Sequence, residues 1–308
     1  MNILVTGGSG FIPSHIVDKL LNNNHKVSII DLWQSKESKV HTSNPNYKFY
    51  QGNVLNDKLI EDCIKNQDIV IHMAAILGTS ETITKYDVEE VCLVNVIGTT
   101  KILKASKKAG VKKVLIPTTP DVPWINPYKI TKAAVEKLCQ LFSIEYNLEV
   151  VALKLGNIYG TRERWLDGPK DAPYNYQKII PTILMETLKG NKFKVYGNGE
   201  QKSEYIYVDD VVESFIRAMN SDKYLGDKII HIGNGENTSV NEIILACEKA
   251  WNKKINYEYV DMRPGEIHVD ITLDPAPLKK YLNYELQWDL HQGLIETIKY
   301  YENEFQNN

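Results

Sequence analysis

The sequence predicts an α/β protein: a doubly wound parallel sheet with helices on both faces, carrying a smaller mixed α/β unit. Three observations predict it. Short apolar runs of strand length alternate with amphipathic stretches of helix length. The runs are apolar enough for burial on both sides, as strands between two helical layers must be. The first run opens into a glycine-rich turn, Thr6-Gly7-Gly8-Ser9-Gly10-Phe11-Ile12-Pro13, followed by a helical pattern.

Taken in order, the strand-like runs are Ile3-Leu4-Val5, Val27-Ser28-Ile29-Ile30, Asp68-Ile69-Val70-Ile71, Val114-Leu115-Ile116 and Val150-Val151-Ala152-Leu153. Helical patterns over Ser14 to Asn22, Val88 to Ala109 and Tyr128 to Tyr146 lie between them, and right-handed crossovers assemble such units into one sheet. This accounts for about residues 1–160. A Gly/Pro/Asp-containing stretch, Gly160 to Pro173, then breaks the rhythm. Tyr205 to Met219, a strand then a helix, and Lys228 to Ile232 are apolar enough to rejoin the first sheet. The expected organisation is therefore interleaved: residues 1–160 with about 205–235 form one domain, and about 161–204 with 236–308 form the second.

Composition narrows the function class. A chain of 308 residues, 43% hydrophobic and 24% charged, is neither disordered nor fibrous and can bury a large core. Lys plus Arg number 36 against 39 Asp plus Glu, so no global basic field favours a nucleic-acid or membrane partner. Cys63, Cys92, Cys139 and Cys247 are too scattered for a zinc cluster or a disulfide framework and read as reduced core thiols; no metal site is expected. The amino terminus enters a short apolar run without a basic leader, from which a cytoplasmic protein is expected.

The glycine-rich turn sits where backbone N–H groups meet a pyrophosphate, with Gly7 permitting the turn, Gly10 the close approach, and Phe11 and Ile12 donating. Asp31 follows 24 residues after Gly7, placed to accept from both ribose hydroxyls of an adenosine and to repel a 2′-phosphate. NAD is the cofactor this selects.

These residues resemble the extended short-chain dehydrogenase/reductase superfamily, a Rossmann-type fold, and specifically its NAD-dependent nucleotide-sugar epimerase/dehydratase group. That leader typically reads Thr-Gly-Gly-x-Gly-Phe-Ile-Gly-Ser-His, and only Pro13 departs from it; proline is tolerated in a first helical turn, where its missing N–H has no intrahelical partner. Gly52-Asn53-Val54 resembles the family's adenine-contacting Gly-Asp-Val. His72-Met73-Ala74-Ala75 resembles its His-x-Ala-Ala strand end, and Asn95-Val96-Ile97-Gly98-Thr99 also matches. The resemblance thus adds Asn53, Val54, Ala74, Ala75 and Asn95 to the cofactor contacts. His72 is either a satisfied core histidine or a group that titrates.

Tyr128-Lys129-Ile130-Thr131-Lys132 would be the superfamily's catalytic Tyr-x-x-x-Lys. Tyr174/Lys178 and Tyr224/Lys228 share that spacing, but only Tyr128 follows a buried strand ending in Thr118-Thr119 and opens a long helix. Four apart on a helix, Tyr128 and Lys132 share a face, so the ammonium can favour phenolate and reach the nicotinamide ribose. Thr119 aligns with the catalytic Ser/Thr that bonds the reacting sugar oxygen. Asp121 falls where related dehydratases and decarboxylases often carry Glu, and Pro120 where dehydratases carry Asp. Only eight residues separate Thr119 from Tyr128, Pro120, Pro123 and Pro127 among them. Such a short, stiff connection is expected to leave one wall of the sugar pocket open.

On the substrate side, Lys154-Leu155-Gly156-Asn157-Ile158-Tyr159-Gly160-Thr161-Arg162 resembles Arg-x-x-Asn-Val-Tyr-Gly-Pro-Arg, which implies a sugar-nucleotide contact at Asn157. Tyr196 in Val195-Tyr196-Gly197 and Arg263 in Arg263-Pro264-Gly265-Glu266 match substrate-binding signatures, while Ser203 replaces a second expected arginine. A guanidinium suits bidentate diphosphate binding. The resemblance implies a nucleoside-diphosphate sugar as substrate, 4-epimerisation through a transient 4-keto sugar, and a homodimer joined by a four-helix bundle of Val88 to Ala109 and Tyr128 to Tyr146, with Leu138, Leu141 and Phe142 as anchors. Dehydratase or decarboxylase chemistry of the same family, or a non-catalytic NAD-binding regulator, are the alternatives.

Overall fold

The structure, a computed structural model, describes residues 1–163, 178–265 and 269–307. Its first half alternates strand and helix as the apolar pattern requires. Strands β1 (Asn2–Thr6), β2 (Lys26–Asp31), β3 (Tyr47–Gln51), β4 (Ile69–His72), β5 (Lys113–Thr118) and β6 (Glu149–Leu155) pair in parallel. Their crossovers are α1 (Phe11–Asn22), a short α2 (Lys36–Lys39), α3 (Asp57–Ile64), the run α4 (Glu81–Thr84), α5 (Val88–Cys92) and α6 (Thr99–Ala109), and α7 (Pro127–Ile144). Asn126 caps α7 by accepting from the Lys129 amide at 2.9 Å, with Pro127 in the first helical position.

Beyond β6 the chain runs through β7 (Asn157–Tyr159), α8 (Ile179–Leu188), β8 (Phe193–Tyr196), β9 (Lys202–Ser203), β10 (Tyr205–Tyr207) and α9 (Val208–Asn220). It continues through β11 (Ile229–Ile232), β12 (Thr238–Ser239), α10 (Val240–Trp251), β13 (Tyr257–Val260), α11 (Ala276–Leu282) and α12 (Leu290–Gln306). β11 joins β6 in parallel and completes a seven-stranded sheet in the order β11-β6-β5-β4-β1-β2-β3. The minor strands pair two by two, β7 with β10, β9 with β12 and β8 with β13.

Alternation along each strand divides the core in two. Ile3, Val5, Ile29 and Ile71 pack with Ile16 and Leu20 of α1 and Phe215 of α9, whereas Leu4, Ile30 and Val70 pack with Ile60 of α3, Leu103 of α6 and Val135 of α7. The strand order reverses between β1 and β4, so their carboxyl ends diverge into a crevice, the usual ligand site of such sheets. No helix among the described residues is long and apolar enough to cross a membrane.

Four expectations change. β3 was not anticipated, because Tyr47-Lys48-Phe49-Tyr50-Gln51 mixes polar residues into an edge strand that is buried only in part. The helix over Val88 to Ala109 is interrupted at Leu93–Gly98 by a π-helical turn, within which Asn95 is buried and bonded to the next layer. Tyr205–Tyr207 pairs with β7 outside the main sheet; only β11 rejoins it. Phe142, expected at a dimer face, is 5% exposed within this chain's own core, and Leu138 packs against the same cluster.

Candidate active site

The crevice begins at the turn after β1. Gly7 adopts φ +67, and a Cβ there would stand 2.9 Å from the Ala74 backbone, so only glycine lets the turn lie against the end of β4. A Cβ at Gly10 would meet the Gly7 carbonyl at 3.1 Å. Gly10 caps α1 without a side-chain bond, leaving the first-turn amides of Phe11 and Ile12 at a bare helix N-terminus. Pro13 occupies the same turn and α1 runs on unbroken to Asn22.

A buried relay holds the second wall. The Ala74 amide donates to Thr6 Oγ1 at 3.2 Å, and Thr6 Oγ1 lies 2.7 Å from His72 Nδ1; His72 Nε2 lies 2.9 Å from Thr99 Oγ1, which donates to the Asn95 carbonyl at 2.6 Å. Because Thr99 already donates, His72 must donate from Nε2 and accept at Nδ1. Burial and the nearby Lys132 push the His72 imidazole down to about 3. It is a neutral core histidine.

Asn95 itself exchanges bonds with the Ile76 backbone at 2.7 and 3.0 Å and donates to Thr131 at 3.0 Å. Its amide therefore ties the loop after β4 to α7 and does not line the cleft.

The cleft is a cavity of about 270 Å³ lined by Gly7, Gly10, Phe11, Ile12, Asp31, Asn53, Val54, Ala74, Ala75, Thr119, Tyr128 and Lys132, among others. Eleven of the residues expected to contact the cofactor are thereby brought together from four strand ends and α7. The Asp31 carboxylate accepts from the Ser9 amide at 2.9 Å and the Leu32 amide at 2.7 Å, which fixes it across the glycine turn. Asn53 Oδ1 accepts from the Leu55 amide at 2.9 Å, so its side chain also shapes a turn. Among the described lining residues there is no arginine, and Asp31 is followed by Leu32 and Trp33, both lining. The glycine cradle, the bare helix terminus and the carboxylate beside the adenosine end fit NAD.

At the other end Lys132 donates to the Pro117 carbonyl at 2.5 Å, and burial pulls its ammonium down to about 8. Lys129, beside the Trp124 ring at 5.7 Å, is pulled down to about 8 by burial and by neighbouring Lys178. Thr118, Thr119 and Tyr128 line the cleft at the same end. Asp121 does not. Its side chain is 82% exposed and pairs with Lys154 at 2.7 Å, a buried lysine that also meets Glu136 at 3.2 Å. A buried ammonium attracts any carboxylate within reach, and that draws Asp121 away from the crevice.

Two further cavities continue from this end. One, of about 190 Å³, is lined by Asn157, Ser203, Arg263, Glu81, Glu163 and Lys178 among others; the second, of about 290 Å³, holds Tyr196, Arg263, Lys192, Lys194 and again Lys178. Asn157 Nδ2 donates to Ser203 Oγ at 2.7 Å, and the Arg263 guanidinium stacks 4.9 Å over the Tyr196 ring. Trp124, from the short loop expected to leave one wall open, also lines the smaller cavity. Of the two chance pairs, Tyr224 is exposed and donates to the Ser143 carbonyl at 3.1 Å, and Tyr174 lies outside the described residues.

Sequence reasoning missed Glu163 and Lys178. Glu163 directly follows the Asn157 to Arg162 motif, a position worth testing, whereas nothing in the sequence draws Lys178 to the site.

Comparison with known proteins accords with this geometry. The profile of the NAD dependent epimerase/dehydratase family matches residues 3–233. A UDP-N-acetyl-alpha-D-glucosaminuronate decarboxylase of Bacillus cytotoxicus is 30% identical over 97% of this chain and 97% of its own. A solved UDP-glucose 4-epimerase of Thermotoga maritima, with UDP-glucose, is 30% identical over 99% of each chain at TM-score 0.83. A UDP-glucuronic acid 4-epimerase of Bacillus cereus, solved with UDP-glucuronic acid and NAD, is 25% identical over 99% of this chain and 100% of its own, at TM-score 0.85. This chain belongs to the NAD dependent epimerase/dehydratase family, and NAD is its cofactor.

Proposed function

We propose that the protein is a nucleotide-sugar 4-epimerase that acts on a nucleoside-diphosphate sugar through a transient 4-keto sugar. The observation that carries this reading is the division of carboxylates and hydroxyls at the crevice. Thr119, Tyr128 and Lys132 line it, while Asp121, the acid that dehydratase or decarboxylase chemistry would enlist, pairs with Lys154. Epimerisation needs one group that takes and returns a proton at one oxygen. In this reading Tyr128 takes the C4 hydroxyl proton, Thr119 holds that oxygen, and the neighbouring Lys132 ammonium favours the phenolate. Bound NAD supplies the hydride acceptor and, after the ring turns over, the donor.

Cofactor contacts are assigned to Gly7, Gly10, Phe11, Ile12, Asp31, Asn53, Val54, Ala74 and Ala75, with Tyr128 and Lys132 at the nicotinamide end. Asn95 supports that wall through Ile76. Arg263, stacked on Tyr196, holds the diphosphate, and Asn157 contacts the sugar nucleotide beside Ser203. The interleaved division into a cofactor domain and a substrate domain, with the crevice between, completes the proposal. Unpaired thiols among the described residues fit the reducing cytoplasm.

The test is a panel of nucleotide sugars incubated with protein and NAD. An epimer of unchanged mass is expected; loss of water or of carbon dioxide marks the dehydratase or decarboxylase, and no product with any sugar marks a regulator.

We also propose a homodimer through the outer faces of α5 to α7. Ile130, Leu141 and Ile144 repeat on one face of α7 and are exposed, as are Leu93 and Ile97 beside it. Leu141→Glu should convert a dimer to a monomer in light scattering at micromolar concentration; a wild-type monomer would contradict the proposal.

A further inference from the structure

Glu163 is 5% exposed and lines both the cofactor cleft and the smaller sugar-side cavity, at the seam where the two meet. Buried carboxyl groups that hold a fold together accept hydrogen bonds from it. Asp210 illustrates this, accepting from the Tyr284 hydroxyl at 2.6 Å and from the Gln287 and Trp288 amides at 2.9 and 3.1 Å. Among the described residues no donor bonds the Glu163 carboxyl. Burial pushes it up to about 8, with only the field of Lys178, which lines the same two cavities, opposing that shift.

The backbone that carries Glu163 is tethered to two helices, α1 and α12. His15 Nε2 of α1 bonds the Thr161 carbonyl at 2.9 Å, the Arg162 guanidinium donates to Asp18 of α1 at 2.7 Å, and the Tyr301 hydroxyl of α12 donates to the Glu163 carbonyl. Arg162 sits at φ +67, a left-handed conformation that costs a residue with a Cβ roughly 1 kcal/mol or more. Strain persists where surrounding contacts over-determine the backbone, and here they aim the next side chain into the seam.

We propose that Glu163 is a substrate-binding residue that accepts a hydrogen bond from a hydroxyl of the sugar ring and so helps decide which sugars the enzyme takes. This rests on the nucleotide-sugar reading above. A ring hydroxyl supplies the donor that the described residues withhold, and Lys178 balances the carboxylate once it ionises. A buried acceptor without its donor discriminates strongly against ligands lacking that hydroxyl.

The experiment is calorimetric titration of the NAD-loaded protein with UDP, UDP-glucose and UDP-glucuronic acid, comparing wild type, Glu163→Met and Glu163→Gln. Glu163→Met, similar in length but without an acceptor, should weaken the better-bound sugar nucleotide by roughly 10-fold or more, the low end for a charge-assisted hydrogen bond, and leave UDP within about twofold of wild type. Glu163→Gln, which keeps an acceptor oxygen, should recover most of that loss. Equal affinities in all three proteins overturn the proposal, as does a parallel loss for UDP itself, which marks a fold-supporting role. If Glu163→Met does not fold, Glu163→Gln decides alone: a loss confined to the sugar nucleotides supports the contact, and none overturns it. A wild type that binds none of the three probes brings down the nucleotide-sugar reading and this inference with it, a failure distinct from one seen only in the variants.

Discussion

Gly7 and Gly190 hold nearly the same left-handed conformation, φ +67 and +73, yet a methyl group at Gly7 would stand 2.9 Å from backbone while one at Gly190 would meet nothing within 4 Å. The contrast separates the two halves of the site. On the cofactor side the geometry is backbone against backbone: β1, its turn and the end of β4 touch, and a single carbon is too much. On the side proposed to take the sugar nucleotide the site is assembled by side chains that arrive from distant segments, with Asn157 against Ser203, Arg263 on Tyr196, and Lys178 facing all three cavities. The first kind of site fixes one ligand; the second can be retuned by single substitutions without disturbing the sheet.

The sharpest way to break this comparison lies where the halves meet. Tyr128→Phe removes the proton acceptor but touches neither the glycine cradle nor Arg263, so turnover should fall at least roughly 100-fold with bound NAD unchanged. Near-normal turnover would place the base elsewhere. Next in size, Arg263→Ala should weaken UDP binding by roughly 10 to 150-fold in calorimetry, since a charged hydrogen bond contributes about 1.5 to 3 kcal/mol. Ser203→Arg should tighten it, because Ser203 lines the same cavity as Arg263. If neither change moves UDP affinity, the diphosphate sits elsewhere.

Gly7→Ala and Gly190→Ala test the contrast itself. Both carry the left-handed cost of roughly 1 to 2 kcal/mol, but only Gly7→Ala must also push backbone aside, so it alone should lower NAD retention, by about tenfold or more. Equal NAD content in both variants would show that the cradle tolerates a methyl.

The smallest effect concerns Lys132. Its native value of about 8 lies below the ordinary 10.5, so between those limits the unfolded chain holds a proton that the native site has released, and stability rises with pH across that window. Lys129, with the same displacement, contributes in the same sense. Below about pH 8 the native protein carries both charges at a constant cost. Lys132→Met should therefore stabilise the NAD-free protein at pH 7 by the order of 1 kcal/mol and flatten the rise toward pH 10, as read by urea midpoints. A less stable variant at pH 7 would mean that the bond to the Pro117 carbonyl outweighs the desolvation of the ammonium.

The same division explains what was legible in the sequence. The cofactor cleft is written locally: buried strands announce themselves by period, Gly7 by its turn, Asp31 by its place after β2, and Tyr128 by opening a helix just after β5. What escaped was set by contacts across the fold. Asn95 matched a family motif, but its amide turned out to hold Ile76 and Thr131 because a π turn buries it. Asp121 matched a catalytic position and was drawn off by Lys154, thirty-three residues further along the chain. Glu163 was overlooked because its place is set by bonds from α1 and α12 to the backbone and side chain around it, and no local pattern records that. Trp124, from a loop expected to leave a gap, lines the sugar-side wall.

The central claim is that this site inverts C4 with Tyr128 as its one proton-handling group and Asp121 taking no part. Incubating the protein with NAD and UDP-sugars in deuterated water, and following the sugar by proton NMR and mass, tests it most directly. The account predicts a C4 epimer of unchanged carbon-bound mass, with no deuterium at C4 or C5, because the hydrogen taken from C4 returns to C4 and C5 is never deprotonated. Deuterium at C5, loss of water or loss of carbon dioxide would contradict it.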